Sequence, residues 1–93
     1  MHEHGLVRGL LRKLEEVARQ NGASRVVAAR VRLGALAHVS AEHFRTLFEE
    51  TARGSLAEGC RLEVCEDPSP SSPHAHEVLL EHVELELEEE PCA

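Results

Sequence analysis

In this 93-residue chain, the opening Met1-His2-Glu3-His4 is where residue type and spacing point most directly to chemistry. Methionine ahead of a large second residue such as histidine is normally retained, so the mature amine is expected on Met1. That amine, the backbone nitrogen of His2 and the His2 imidazole can close two fused chelate rings on one metal ion. The rings are five- and six-membered, with little strain. The amide of Glu3 can complete a planar nitrogen set, which suits a d⁸ ion such as Ni(II), or Cu(II). The donors must shed protons before they bind, so affinity should fall steeply in acid. The same four residues also fit a plain, exposed helix start that binds nothing, with His4 facing solvent.

A second candidate is His74-Ala75-His76. Two histidines one residue apart on a flexible segment could swing to the amino-terminal site and add an imidazole, or be ordinary solvated loop residues. His38, His43 and His82 show no partner in the sequence. Cys60, Cys65 and Cys92 are odd in number and form no CxxC pair, which fits neither a disulfide framework nor a zinc ribbon. Nothing reads as catalytic. No glycine-rich phosphate loop occurs, since Gly54 and Gly59 flank a helix end and a strand start.

Regular elements must position these groups, and their periods are legible. Leu6, Leu10, Leu14 and Val17, widened by Val7, Leu11 and Ala18, predict a helix over residues 3–21 that Gly22 stops. The first backbone N–H groups of a helix have no intrahelical acceptor, so a metal could take them without breaking a hydrogen bond. The helix dipole opposes a cation there, and deprotonated amides would offset it. Residues 25–34 alternate, with Val27, Ala29, Val31 and Leu33 on one side and Arg30 and Arg32 on the other, as a half-buried strand does. Ser40 is an N-cap candidate for a second helix reaching about Arg53, with Glu42 in its first turn and Phe44, Leu47, Phe48 and Thr51 buried.

Residues 60–66 alternate again, with Leu62 and Val64 inward. Residues 67–77, with three prolines and three serines, read as a solvated loop. The last strand is expected over 78–88, with Val83, Leu85 and Leu87 inward and Glu84, Glu86 and Glu88 outward. The sum is an α+β domain spanning 1–93 in the order helix, strand, helix, strand, strand. Two helices pack on one face of a three-stranded mixed sheet and the other face meets water. The first two strands, joined through a helix, should run parallel by a right-handed crossover.

Charge adds a constraint. Residues 1–61 hold all ten basic side chains and seven acidic ones, while residues 62–93 hold ten acidic and no basic ones. Outward Arg30 and Arg32 therefore want Glu84 and Glu86 beside them, which places the first and third strands side by side. An acidic total of −7 with no Trp or Tyr argues against nucleic acid. No apolar run approaches the ~20 residues that cross a bilayer, and no signal-peptide pattern opens the chain, so a cytoplasmic protein is expected.

Several blocks, taken in order, resemble the HypA/HybF family of hydrogenase and sometimes urease nickel-maturation proteins. They are Met1-His2-Glu3; Arg25 to Gly34 followed by Leu36 and Val39; Phe44 and Phe48-Glu49; Gly54 to Gly59 leading into Leu62-Glu63; and the closing Val83-Glu84-Leu85-Glu86. The resemblance implies a nickel metallochaperone and no enzyme. His2 would be the principal Ni(II) ligand, supported by nitrogens of Met1 and Glu3, and the metal would pass onward with a maturation GTPase to a hydrogenase precursor. Family members insert a zinc-binding domain with two CxxC pairs between the second and third strands. Here the Pro/Ser loop 67–77 stands in its place, so no structural zinc is expected. The alternative is a degenerate, metal-independent interaction module that docks through Arg30, Arg32 and Arg61.

Overall fold

Helical and alternating periods resolve into five elements: α1 (His2–Gln20), β1 (Ala23–Leu33), α2 (Ala41–Thr51), β2 (Arg61–Glu66) and β3 (Val78–Leu87). The computed structural model describes the backbone of residues 2–87 and the side chains of residues 4–87. Met1, the side chains of His2 and Glu3, and residues 88–93 with Cys92 lie outside the described residues.

The sheet order is β2-β1-β3, with β1 parallel to β2 and antiparallel to β3. This is the α+β architecture expected, with the first and third strands adjacent. One core joins Val7, Leu10, Leu14 and Ala18 of α1 to Val26, Ala29, Val31 and Leu33 of β1 and to Phe44, Leu47 and Phe48 of α2. No described side chain that is buried is polar or charged. The stripe of α1 is therefore centred on Val7, Leu10, Leu14 and Ala18, with Leu6, Leu11 and Val17 at its half-buried margins.

Two inward assignments are corrected. Val26 is fully buried and Val27 is 39% exposed, the reverse of the expected parity. The cause is a bulge: Val26 faces Leu85 and Ala28 faces Glu84, so Val27 is an extra residue in its strand and the alternation changes phase there. Leu87 is 59% exposed although it continues the inward set of β3.

The charge argument found the right neighbours and the wrong pairs. Arg32 reaches Glu81 at 2.9 Å, Arg30 reaches Glu63 at 3.6 Å, Arg61 takes Glu84 at 3.3 Å and Arg25 takes Glu86 at 3.6 Å. A second bulge, at Glu81 between His82 and Leu80, brings Glu81 to Arg32, while Arg30 lies directly opposite Glu63 in the unbroken pairing of β1 with β2. Each pair is exposed and contributes at most about 1 kcal/mol.

Helix α2 is held at its start from two directions. The Ser40 hydroxyl accepts from the His43 N–H at 3.1 Å, as an N-cap should, and the Glu66 carboxylate at the end of β2 accepts from the Ala41 N–H at 2.9 Å. Gly22, Gly54 and Gly59 take φ of 65°, 80° and 78°, the left-handed conformation that lets the chain turn out of α1, out of α2 and into β2.

Candidate metal centre

The candidate nickel donors sit where helix α1 begins, at His2. Met1 and the side chains of His2 and Glu3 belong to the residues not described, so the geometry of the site is carried by its surroundings. Beyond it, the face of α1 that carries Gly5 and Gly9 leaves an open groove of about 500 Å³ against the start of β3. Leu6, Leu10 and Lys13 share the helical wall, and Glu77, Val78, Leu79 and Leu80 form the other. A Cβ at Gly5 or Gly9 would meet nothing within 4 Å. Glu77, the last residue before β3, thus comes alongside the first turns of α1.

That contact matters for the second histidine pair. Residues 67–77 are tied down more firmly than a free loop. The Gly34 N–H donates to the Glu77 carbonyl at 2.9 Å, Leu36 N–H to the Ala75 carbonyl at 2.7 Å, and Asp67 N–H to the Leu33 carbonyl at 2.9 Å. Ala75, between the two histidines, is only 3% exposed. The expectation of a wholly solvated loop is corrected accordingly. The segment is anchored because the backbone at Gly34 comes so close to Ala75 that a Cβ there would lie 2.2 Å from the Ala75 oxygen. Glycine at 34 does more than end a strand: it admits the loop.

His74 and His76 both lie exposed on this anchored segment. The Nδ1 of His74 is 2.7 Å from a Glu77 carboxylate oxygen, and the Nδ1 of His76 is 3.1 Å from the Leu36 carbonyl oxygen. A carbonyl oxygen can only accept, so Nδ1 of His76 carries the proton and donates it. Neutral His76 therefore keeps its lone pair on Nε2. The partner sets the tautomer, as it does for metal-binding histidines.

The cysteines stand apart from this region. Cys60 is 7% exposed just ahead of β2, and burial pushes its thiol pKa up, which keeps it protonated and a poor ligand at neutral pH. Cys65 is half-buried within β2. Among the described residues, no three His, Cys, Asp or Glu side chains converge as a ready-made metal cage. His38, with φ of 59° in the turn before α2, and His43, in the first turn of α2, lie elsewhere. The three arginines suggested as a docking face are each engaged by a carboxylate. Among the described residues, no helix is long and apolar enough to cross a membrane.

Two helices on one face of a three-stranded mixed sheet, with the candidate donors at the start of the first helix, are the α+β architecture that positions the candidate site. Comparison with known proteins makes this specific. Residues 1–72 match the family described as "Hydrogenase/urease nickel incorporation, metallochaperone, hypA". The chain is 46% identical over 68 residues to the hydrogenase maturation factor HypA of Azotobacter chroococcum mcd 1, which covers 73% of this chain and 60% of that protein. It is 34% identical over 92 residues to hydrogenase maturation factor HypA 2 of Bradyrhizobium diazoefficiens, covering 99% of this chain and 79% of the relative. The solution structure of the Ni metallochaperone HypA from Helicobacter pylori superposes with a TM-score of 0.78 at 20% identity, covering 95% of this chain and 100% of that one. The chain belongs to the HypA family. The role described for that family is nickel incorporation by a metallochaperone, not enzymatic catalysis. The chain spans about 60% of the length of several of the curated relatives it matches.

Proposed function

We propose that this chain carries Ni(II) as cargo at its amino terminus and offers it during maturation of a hydrogenase, or of a urease. The single observation that supports this most directly is that α1 begins at His2, so the proposed amide donors fall in the first turn of a helix. N–H groups there have no intrahelical acceptor, and replacing their protons by a metal costs no hydrogen bond. The Met1 amine, the His2 amide nitrogen and imidazole, and the Glu3 amide make up the donor set.

His74 and His76 are the auxiliary donors in this reading. Their segment ends at Glu77 against the first turns of α1. The hydrogen bond from His76 to Leu36 leaves Nε2 as the donor atom, and His74 beside Glu77 has the carboxylate–imidazole pairing that raises ligand basicity. One of these imidazoles closing on the ion, then letting go, gives a route for stepwise ligand exchange with a receiving protein. The site must bind tightly enough to acquire nickel and lose to the acceptor.

The receiving partners in this proposal are a maturation GTPase and a hydrogenase precursor, in the cytoplasm. No structural zinc is invoked: the sequence has no CxxC pair, and Cys60 is buried in its protonated form. Calorimetric titration of the untagged protein with Ni(II), beside a His2→Ala variant, tests the carrier reading. One-to-one binding that disappears in the variant is the expected result. Weak binding indifferent to His2 would leave a metal-independent docking module of the same fold.

A further inference from the structure

Basic side chains are handled differently on the sheet and on α1. On the outer sheet face Arg25, Arg30, Arg32 and Arg61 each meet a carboxylate. On α1, residues 4–14 hold Arg8, Arg12 and Lys13, all exposed, and no acidic residue. Among the described residues none of these three is paired with a carboxylate. The chain as a whole carries −7, so this is a basic patch on an acidic protein. Arg8 and Arg12 stand one helical turn apart, where like charges oppose the helix.

The patch borders the groove of about 500 Å³ between α1 and the start of β3. At about 100° per residue, the helix surface passes through Arg8, Arg12, Gly5, Gly9, Lys13 and Leu6 in that angular order. The two glycines therefore lie between the arginines and the apolar wall that Leu6 and Leu10 form. A Cβ at either glycine meets nothing within 4 Å, so the lip between arginines and groove carries no side chain. Glycine inside a helix weakens it relative to alanine. Two departures from what a helix prefers, on one face, mark a surface shaped for something other than stability.

We propose that this groove and its basic lip dock a partner protein through an apolar side chain flanked on one side by carboxylates. A leucine-sized group would sit between Leu6 and Leu80, and the acidic residues beside it would cross the glycines to Arg8 and Arg12. Charge fixes both the partner and its direction. Glu77 stands on the opposite lip, so acidic groups are repelled there and drawn to the α1 side. The apolar walls favour a protein over a nucleic acid, whose phosphates the net charge of −7 repels. Rim arginines steer such a partner in, and the buried anchor holds it. Gly5 is three positions from His2, so a docked partner stands beside the proposed nickel donors. That consequence rests on the carrier reading; the docking itself does not.

The test is a ¹⁵N–¹H correlation titration of the untagged full chain, with EDTA present so that nickel plays no part and the two readings fail separately. The probe is the synthetic peptide acetyl-Glu-Glu-Ala-Leu-Leu-amide. The amides of Gly5, Gly9, Leu79 and Leu80 should shift together, with a Kd on the order of 1 mM. Arg8→Glu/Arg12→Glu should raise that Kd at least about tenfold, and Gly9→Leu, which fills the lip of the groove, should do the same. Arg30→Glu/Arg61→Glu, an equal change of net charge on the sheet face, should leave it within about twofold. The spectrum of each variant reports whether its fold is kept. A peptide with Ser in place of both Leu that binds equally well would be a response to charge alone and overturns the proposal. Shifts centred away from the groove overturn it too, as does an affinity indifferent to both the arginine and the Gly9 variants. No shift at about tenfold above the expected Kd has the same consequence.

Discussion

The two helices of this domain begin behind residues of different kinds. Helix α2 starts behind Ser40, and its first N–H groups are taken by the Ser40 hydroxyl and by Glu66, a residue 25 positions away. Helix α1 starts at His2 behind a methionine, which has no side-chain oxygen with which to cap. Each helix has a histidine in its opening turn, His43 in α2 and His2 in α1. A capped start is finished structurally: its amides are committed and the histidine beside them is a surface residue. In the proposed reading, the start of α1 keeps amides whose protons a metal can replace. The difference between a stability device and a ligand set is thus one of what the N–H groups already hold, and not of which side chain is nearby.

The largest expected effect breaks this comparison directly. His2→Ala should weaken Ni(II) binding at least about 100-fold, since loss of a ligand costs no less than loss of its supporting shell. His43→Ala should leave it unchanged, and calorimetry on the two variants reads both. Next comes Gly34→Ala. Its Cβ would lie 2.2 Å from the Ala75 oxygen, so the 67–77 segment must shift. A loss of about 2 kcal/mol in urea unfolding is expected, typical of forced overpacking. Nickel affinity should fall with it, because His74 and His76 move too. The double variant His74→Ala/His76→Ala, which spares the backbone anchors, should weaken nickel about tenfold, or about 1.4 kcal/mol. Unchanged affinity would remove both from the donor set. The smallest effect is Ser40→Ala, expected to cost about 1 kcal/mol of stability without touching nickel binding, seen as a lower urea midpoint at constant slope.

Most of the architecture was readable because each element kept one period. Leu10 and Leu14 at spacing four, alternation after Val31, Ser40 ahead of an apolar stripe and Gly22 after one are local signals, and the elements formed where they stood. What failed was set across the sheet. Val26-Val27-Ala28-Ala29 is apolar at every position, so alternation cannot say which residue is the extra one, and the bulge put Val26 inside. The partner of Arg32 depended on the bulge in β3, which carries no marker in the sequence, and Arg30 turned to Glu63, its direct neighbour on β2. The Glu66 cap on α2 and the seat of Ala75 on Gly34 join segments far apart in the chain. Proline and serine in 67–77 signalled a loop correctly, but composition does not reveal what a loop's backbone is bonded to.

For the proposed site, the reading rests on the sequence, since Met1 and the side chains of His2 and Glu3 lie outside the described residues. The chelating pattern of Met1-His2-Glu3 is a local property, and its reading does not wait for tertiary structure. The surroundings were invisible until the chain was folded: the groove at Gly5 and Gly9, the approach of Glu77 to α1, and the hydrogen bond that leaves Nε2 of His76 as a donor.

The most direct test compares Ni(II) titrations of the untagged chain with a free Met1 amine and of the same chain acetylated there. If the terminal nitrogens hold the metal, acetylation removes one donor and abolishes one-to-one binding, while the circular dichroism of the domain stays the same. Nickel bound equally well by the acetylated protein would contradict the account, and the carrier site would have to be sought elsewhere in the molecule.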